Sequence, residues 1–141
     1  MLVPFESLPE DSRVWIYQSN RSFTDEELVE IKQKLDEFLT QWTVHGSNLK
    51  AGYDIKYKRF ITIALDQEVN AASGCSIDAS VRFIQSLEQQ YNVDLLDYFI
   101  NKGNIKLVNN IVNSYDNGNL FYKLVNIIDL YENKNDFETT Y

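Results

Sequence analysis

Between Arg13 and Tyr91 the hydrophobic pattern changes from strand-like alternation to a helical stripe, back to alternation, and again to a stripe. Alternation places successive side chains on opposite faces of a strand, whereas a 3.6-residue repeat draws one apolar band along a helix. That order constrains the fold more than any single residue does. Arg13–Ser19 (RVWIYQS) sets Val14 and Ile16 against Trp15 and Tyr17, and its β-branched and aromatic content makes it a strand. Thr24 and Glu27 then stand at capping-box spacing, with Asp25 and Glu26 beside the positive end of the helix dipole. Leu28, Ile31, Leu35, Phe38, Leu39 and Trp42 form the stripe of this helix, which is expected to close near His45, with Gly46 as its left-handed terminal residue.

Two strands follow. Tyr53, Ile55 and Tyr57 alternate with Asp54, Lys56 and Lys58, and Ile61, Ile63 and Leu65 share one face of the next run. The short spacing predicts a tight hairpin around Lys58–Arg59. A second amphipathic helix has Ile77, Val81, Ile84, Leu87 and Tyr91 as its predicted buried face, and a last strand is expected between Leu96 and Val108. The order β-α-β-β-α-β predicts an α+β, ferredoxin-like sandwich: an antiparallel sheet with two helices on one face. A chain of 141 residues holds one such core as a single domain. Residues 1–12, with Pro4 and Pro9, read as an irregular lead-in, residues 13–108 as the core, and residues 109–141 as a C-terminal extension.

The strand directions of that architecture bring the end of the first helix and the start of the second to one end of the sheet. His45 and Cys75 then become neighbours, with Arg13 and Asp66 on the same edge. A thiol in the first turn of a helix lies among unpaired N–H groups and the positive dipole end, which favour thiolate, and an adjacent imidazole acts as a base. The same turn, through Ser73, Gly74 and Ser76, with Arg13, Gly46 and Asp78 nearby, is equally suited to a phosphate or carboxylate. Two readings follow: a binding module for a small anionic ligand, and a thiol enzyme or redox-responsive protein with Cys75 as nucleophile and His45 as base. Against both stands a purely structural role, in which Cys75 is a small core residue and the serines cap the helix.

If Val14 and Ile16 face the helices, Trp15 and Tyr17 stand on the open face of the sheet with Tyr53 and Tyr57. Such an aromatic face is a candidate homodimer interface, unless the segment around Phe121, Tyr122 and Leu124 folds back over it.

Composition removes several functions. The net charge of −8 opposes the phosphate backbone of nucleic acid, and no nucleic-acid partner is expected. No apolar run approaches the ~20 residues of a membrane span, and the first residues lack a basic, then apolar, leader; the cytoplasm is the expected compartment and no membrane partner is expected. One cysteine and one histidine exclude an internal disulfide and a structural zinc site built from four such ligands. No glycine is followed by Lys-Ser or Lys-Thr, so a P-loop is absent, as are the GxGxxG and HExxH patterns, and no cofactor is indicated.

Taken together, SRVWIYQSNRSFTDEE, QWTVHGSNLKA, YKRFITIALDQ and ASGCSIDASVRFIQSLE resemble a small family of uncharacterised Bacteroidetes proteins, the likeness spanning Ser12 to Glu88. Some members carry the label "ABC transporter ATPase", and the resemblance implies the same label here. Its motifs coincide with Arg13, Trp15, His45, Gly46 and Ser73 to Asp78.

Overall fold

A computed structural model describes residues 1–97. The fold is α+β. Strands β1 (Arg13–Gln18), β4 (Ala51–Lys56) and β5 (Phe60–Leu65) form an antiparallel sheet in the order β1-β5-β4, and helices α1 (Asp25–Gln41) and α2 (Gly74–Tyr91) accompany it. A two-stranded ribbon, β2 (Thr43–Val44) with β3 (Ser47–Asn48), joins α1 to β4. The strand expected between Leu96 and Val108, and the C-terminal extension, lie outside the described residues.

The start of α1 is as its sequence predicts: Glu27 N–H donates to the Thr24 hydroxyl, and the Glu27 carboxylate accepts from Thr24 N–H. Its end is not. The helix stops at Gln41, because Trp42 adopts an extended backbone and the β-branched pair Thr43–Val44 enters the ribbon. His45 and Gly46, at φ of 49° and 78°, make the two-residue turn of that ribbon. Gly46 therefore serves a hairpin rather than a helix terminus, and positive φ is what a primed hairpin turn demands.

The expected open aromatic face is corrected by the register. Trp15 and Tyr17 lie opposite Ile63 and Ile61 on β5, which in turn face Tyr53 and Ile55 on β4. Trp15, Tyr17, Ile61 and Ile63 belong to one core with Ile31, Leu35 and Leu39 of α1 and Ile84, Leu87 and Tyr91 of α2. The aromatic set of β1 thus faces the helices and is buried, and the surface on which a homodimer was expected is the interior. Alternation cannot choose between two apolar sets. The bulkier pair fills the space between sheet and helices, where Trp15 meets Trp42 edge to face at 5.8 Å. Val14 and Ile16, on the opposite face, are fully buried as well.

The helices run antiparallel and are tied at both ends. At one end Arg21 forks onto both oxygens of Glu27 at 2.8 Å and donates to the Tyr91 carbonyl, while the Tyr91 hydroxyl donates to Glu30. At the other, the Trp42 indole N–H donates to the Ser76 carbonyl at 2.8 Å and the Ser76 hydroxyl to the Thr43 carbonyl at 2.9 Å. The buried face of α2 is accordingly Ser76, Ser80, Ile84, Leu87 and Tyr91. It is rotated from the predicted stripe, leaving Ile77 and Val81 half-buried, because Ser76 turns inward to bond Trp42 and Thr43 just past the end of α1. The lead-in is also placed: Leu2 bridges Ala51 in parallel, and Val3 N–H donates to the Ala51 carbonyl at 2.9 Å. No described helix is long and apolar enough to cross a membrane.

Candidate functional site

Where the end of α1, the β2-β3 ribbon and the first turn of α2 meet, they leave a cavity of about 410 Å³. Its walls are Phe38, Gln41, Trp42, Thr43, His45, Ser73, Cys75, Ser76 and Ala79. His45 and Cys75, thirty residues apart, thus share one site at the end of the molecule where the strand and helix directions place them. His45 is carried by the ribbon turn, and its left-handed backbone holds the imidazole at the ribbon tip, exposed. Cys75 is the second residue of α2 and is exposed. It is therefore not a core residue: α2 turns Ser76 and Ser80 inward instead.

The first turn of α2 is anchored by serine. Ser73 caps it by accepting Ser76 N–H, and the two hydroxyls lie 3.0 Å apart. Ser76 N–H is thereby satisfied, whereas the amides of Gly74 and Cys75, the first two of the helix, donate to no described protein atom. A helix begins with such orphan donors, and they carry the positive end of its dipole. Phe38 and Trp42, one turn apart on the α1 stripe, give an aromatic side, and Phe38 is itself stacked on Phe83 of α2 at 4.5 Å.

Of the other residues expected at this end, Ser73 and Ser76 line the cavity and five do not. Arg13 is buried, its guanidinium 4.5 Å above the Trp15 ring. Gly46 stands at the ribbon tip, Gly74 opens α2 outside the wall, and Asp78 is exposed on α2. Asp66 closes β5 and pairs with Lys50 at 3.8 Å. Of the expected interface residues only Tyr57 is exposed, in the turn between β4 and β5; Tyr53 reaches α1, its hydroxyl donating to Asp36 at 2.8 Å. Burial and the Asp36 carboxylate both hold that phenol well above its ordinary range. Sequence reasoning missed Phe38, Gln41, Trp42, Thr43 and Ala79 as site residues. For Phe38 and Trp42 the signal was present, as the last turn of the α1 stripe beside His45; Gln41 and Ala79 resemble any helix surface.

A second cavity, of about 520 Å³, lies between the lead-in, Lys32 and Asp36 of α1, and Tyr53. Among the described residues no group of three or more His, Cys, Asp or Glu side chains is placed to hold a metal ion. Comparison of the chain with protein-family models, with curated proteins and with solved structures found no match. Chemically, the first cavity is lined by the aromatic carbon of Phe38 and Trp42, by Ser73 and Ser76 at the start of α2, and by an exposed thiol and imidazole.

Proposed function

We propose that this chain is a small cytoplasmic binding protein of ferredoxin-like fold whose ligand, a small anion, sits in the cavity between α1 and α2. The fold reading is supported by the β1-β5-β4 order and the antiparallel helices, the arrangement expected of the first five elements of a split βαβ sandwich. The observation that carries the function is the cavity itself: it brings the start of α2, with Ser73, Cys75 and Ser76, to the same open space as the His45 imidazole. Its size falls within the ~300–1,000 Å³ of ordinary small-molecule sites.

The test is a titration of ¹⁵N-labelled protein with acetate and with inorganic phosphate. Saturable shifts of the Gly74 and Cys75 amides and of the Trp42 indole, with the rest of the spectrum unmoved, are expected. Resonances that stay still up to tens of millimolar anion, or shifts spread evenly over the surface, would sink the reading. The ATPase label implied by the resemblance is not adopted, because an ATP-binding cassette holds its nucleotide on the Gly-rich loop and lysine of a P-loop, which this sequence lacks.

A second reading is favoured by one observation, that the exposed Cys75 shares its cavity with His45. In it Cys75 is a nucleophile, His45 its base, and the α2 amides hold the developing oxyanion. The rate of Cys75 alkylation against pH, measured with and without His45→Asn, decides. Asn tolerates the left-handed turn, so a changed profile reports the imidazole and an unchanged one removes it from the chemistry.

A further inference from the structure

We infer that the outer face of the sheet, the side away from α1 and α2, is the docking site of the chain's own residues 98–141. The register sets out that face in three rows: Val14, Ala64 and Gly52; Ile16, Thr62 and Asp54; Gln18, Phe60 and Lys56. Val14, Ile16, Phe60 and Ala64 are each 1% exposed or less, yet none belongs to the core that the two helices share with the opposite face. A sheet with one side bare would leave such side chains in water. Something covers them, and it belongs to the same chain, because the burial is that of a single chain.

The described elements do not supply that cover. Buried side chains of α1, α2 and the ribbon join the core on the opposite side. The lead-in touches the outer face at its Gly52 corner, where a Cβ would stand 2.6 Å from the Val3 carbonyl. A strand advances ~3.4 Å per residue, so the Ile16 row lies ~7 Å and the Gln18 row ~14 Å beyond that corner. In the far row the Tyr57 ring meets Phe60 at 6.4 Å, but Tyr57 is itself 46% exposed. A polar neighbour points the same way: Gln18 is 1% exposed, with both atoms of its amide buried. On an open face that amide would stay hydrated, since burial of a polar group is costly.

The chain leaves its described part beside that far row. Asp94 is held to Asn20, two residues past Gln18: its carbonyl accepts Asn20 N–H at 3.2 Å, and its own N–H donates to the Asn20 side-chain oxygen at 3.0 Å. About five extended residues span ~17 Å, so a segment starting there reaches every row of the face. Residues 98–141 also carry the apolar side chains a cover needs, in pairs such as Phe99-Ile100, Ile111-Val112 and Ile127-Ile128. Removing both apolar surfaces from water drives the docking. The sheet is then enclosed between the helices and the C-terminal segment, and its outer face is closed to a second copy.

NMR of the full wild-type chain, labelled at the methyls of Ile, Leu and Val, tests this. Nuclear Overhauser contacts from the Val14 and Ile16 methyls to methyls of residues 98–141 are expected within one chain. A soluble gadolinium chelate should erase the signal of Val29, which is 69% exposed, and leave those of Val14 and Ile16 as intact as that of Ile31 in the core. Loss of the Val14 and Ile16 signals along with Val29 would show a bare face and overturn the docking. Contacts seen only between differently labelled chains in a mixed sample would make a second copy the occupant instead. Protected methyls whose contacts all fall within residues 1–97 would assign the cover to the lead-in, and the inference fails there too.

Discussion

At the scale of single residues the molecule is held by a few side chains that each satisfy more than one partner, and Glu27 is the clearest. Its carboxylate receives both arms of the Arg21 guanidinium and the Thr24 amide, and these bonds hold it at about 2, below its ordinary 4.5. An acid depressed in the folded state stabilises the fold above its unfolded value. That contribution fades as pH falls from about 4.5 towards 2. Arg21 is 40% exposed, so solvent screening limits the charge contribution to about 1 kcal/mol. Glu27→Gln retains the capping geometry but drops the charge; it should lose about 1 kcal/mol in urea melts at pH 7, and the deficit should vanish near pH 2. Ser76 plays the matching part at the other end of the helices. Buried, it donates to the Thr43 carbonyl and receives the Trp42 indole on its own carbonyl. Ser76→Ala should cost about 1–2 kcal/mol through the abandoned Thr43 carbonyl, with the effect unchanged between pH 5 and 8 because no titrating group is involved.

At the scale of elements, two described hairpin turns use left-handed backbone and only one has the glycine for it. In the ribbon, a Cβ on Gly46 would meet nothing within 4 Å, so the cost of Gly46→Ala is purely conformational. It should destabilise by about 1 kcal/mol and displace His45 at the cavity mouth. The hairpin between β4 and β5 instead places Tyr57 and Lys58 at φ of 56° and 54°. Each such residue stores about 1 kcal/mol of strain, because Cβ crowds the following carbonyl. Lys58 also pairs with Asp25 at 2.8 Å, but both side chains are largely exposed. Lys58→Gly relieves more than an exposed pair supplies, and a net gain of about 0.5 kcal/mol in thermal stability is expected. The tight hairpin was legible in the spacing of the two strands, whereas its strain was not. A turn type that normally asks for Asn-Gly is imposed here by pairing on both sides, Lys56 against Phe60, and by the Lys58 carbonyl accepting Phe23 N–H.

At the scale of the whole molecule, what could be read in the sequence was local and what could not was relative. The capping box and the strand alternation are fixed by neighbours in the chain, so the order of the long elements was legible through α2, while the short β2-β3 ribbon was not. The meeting of His45 and Cys75 was legible too, since it follows from strand and helix directions alone. Which face of β1 is inside was not, because Val14-Ile16 and Trp15-Tyr17 are both apolar and only the three-dimensional partners distinguish them. The lead-in shows the same limit: Pro4 and Pro9 mark it as irregular, and nothing in its composition announces that it lies along β4. That seat depends on Gly52, where a Cβ would stand 2.6 Å from the Val3 carbonyl and 3.2 Å from the Phe5 backbone. Gly74 offers the comparison, since a Cβ there meets nothing within 4 Å and its backbone is already helical. Gly74→Ala should therefore stabilise by about 0.5–1 kcal/mol, by restricting the unfolded chain. Gly52→Ala, with only backbone to push against, should destabilise by about 1–3 kcal/mol. Hydrogen exchange tells where that energy goes. If the lead-in is a packed part of the sheet, Gly52→Ala accelerates exchange at Val3 while leaving the interior amides of α2 protected. Uniform acceleration across the sheet and both helices would show instead that the strap and the core unfold as one unit.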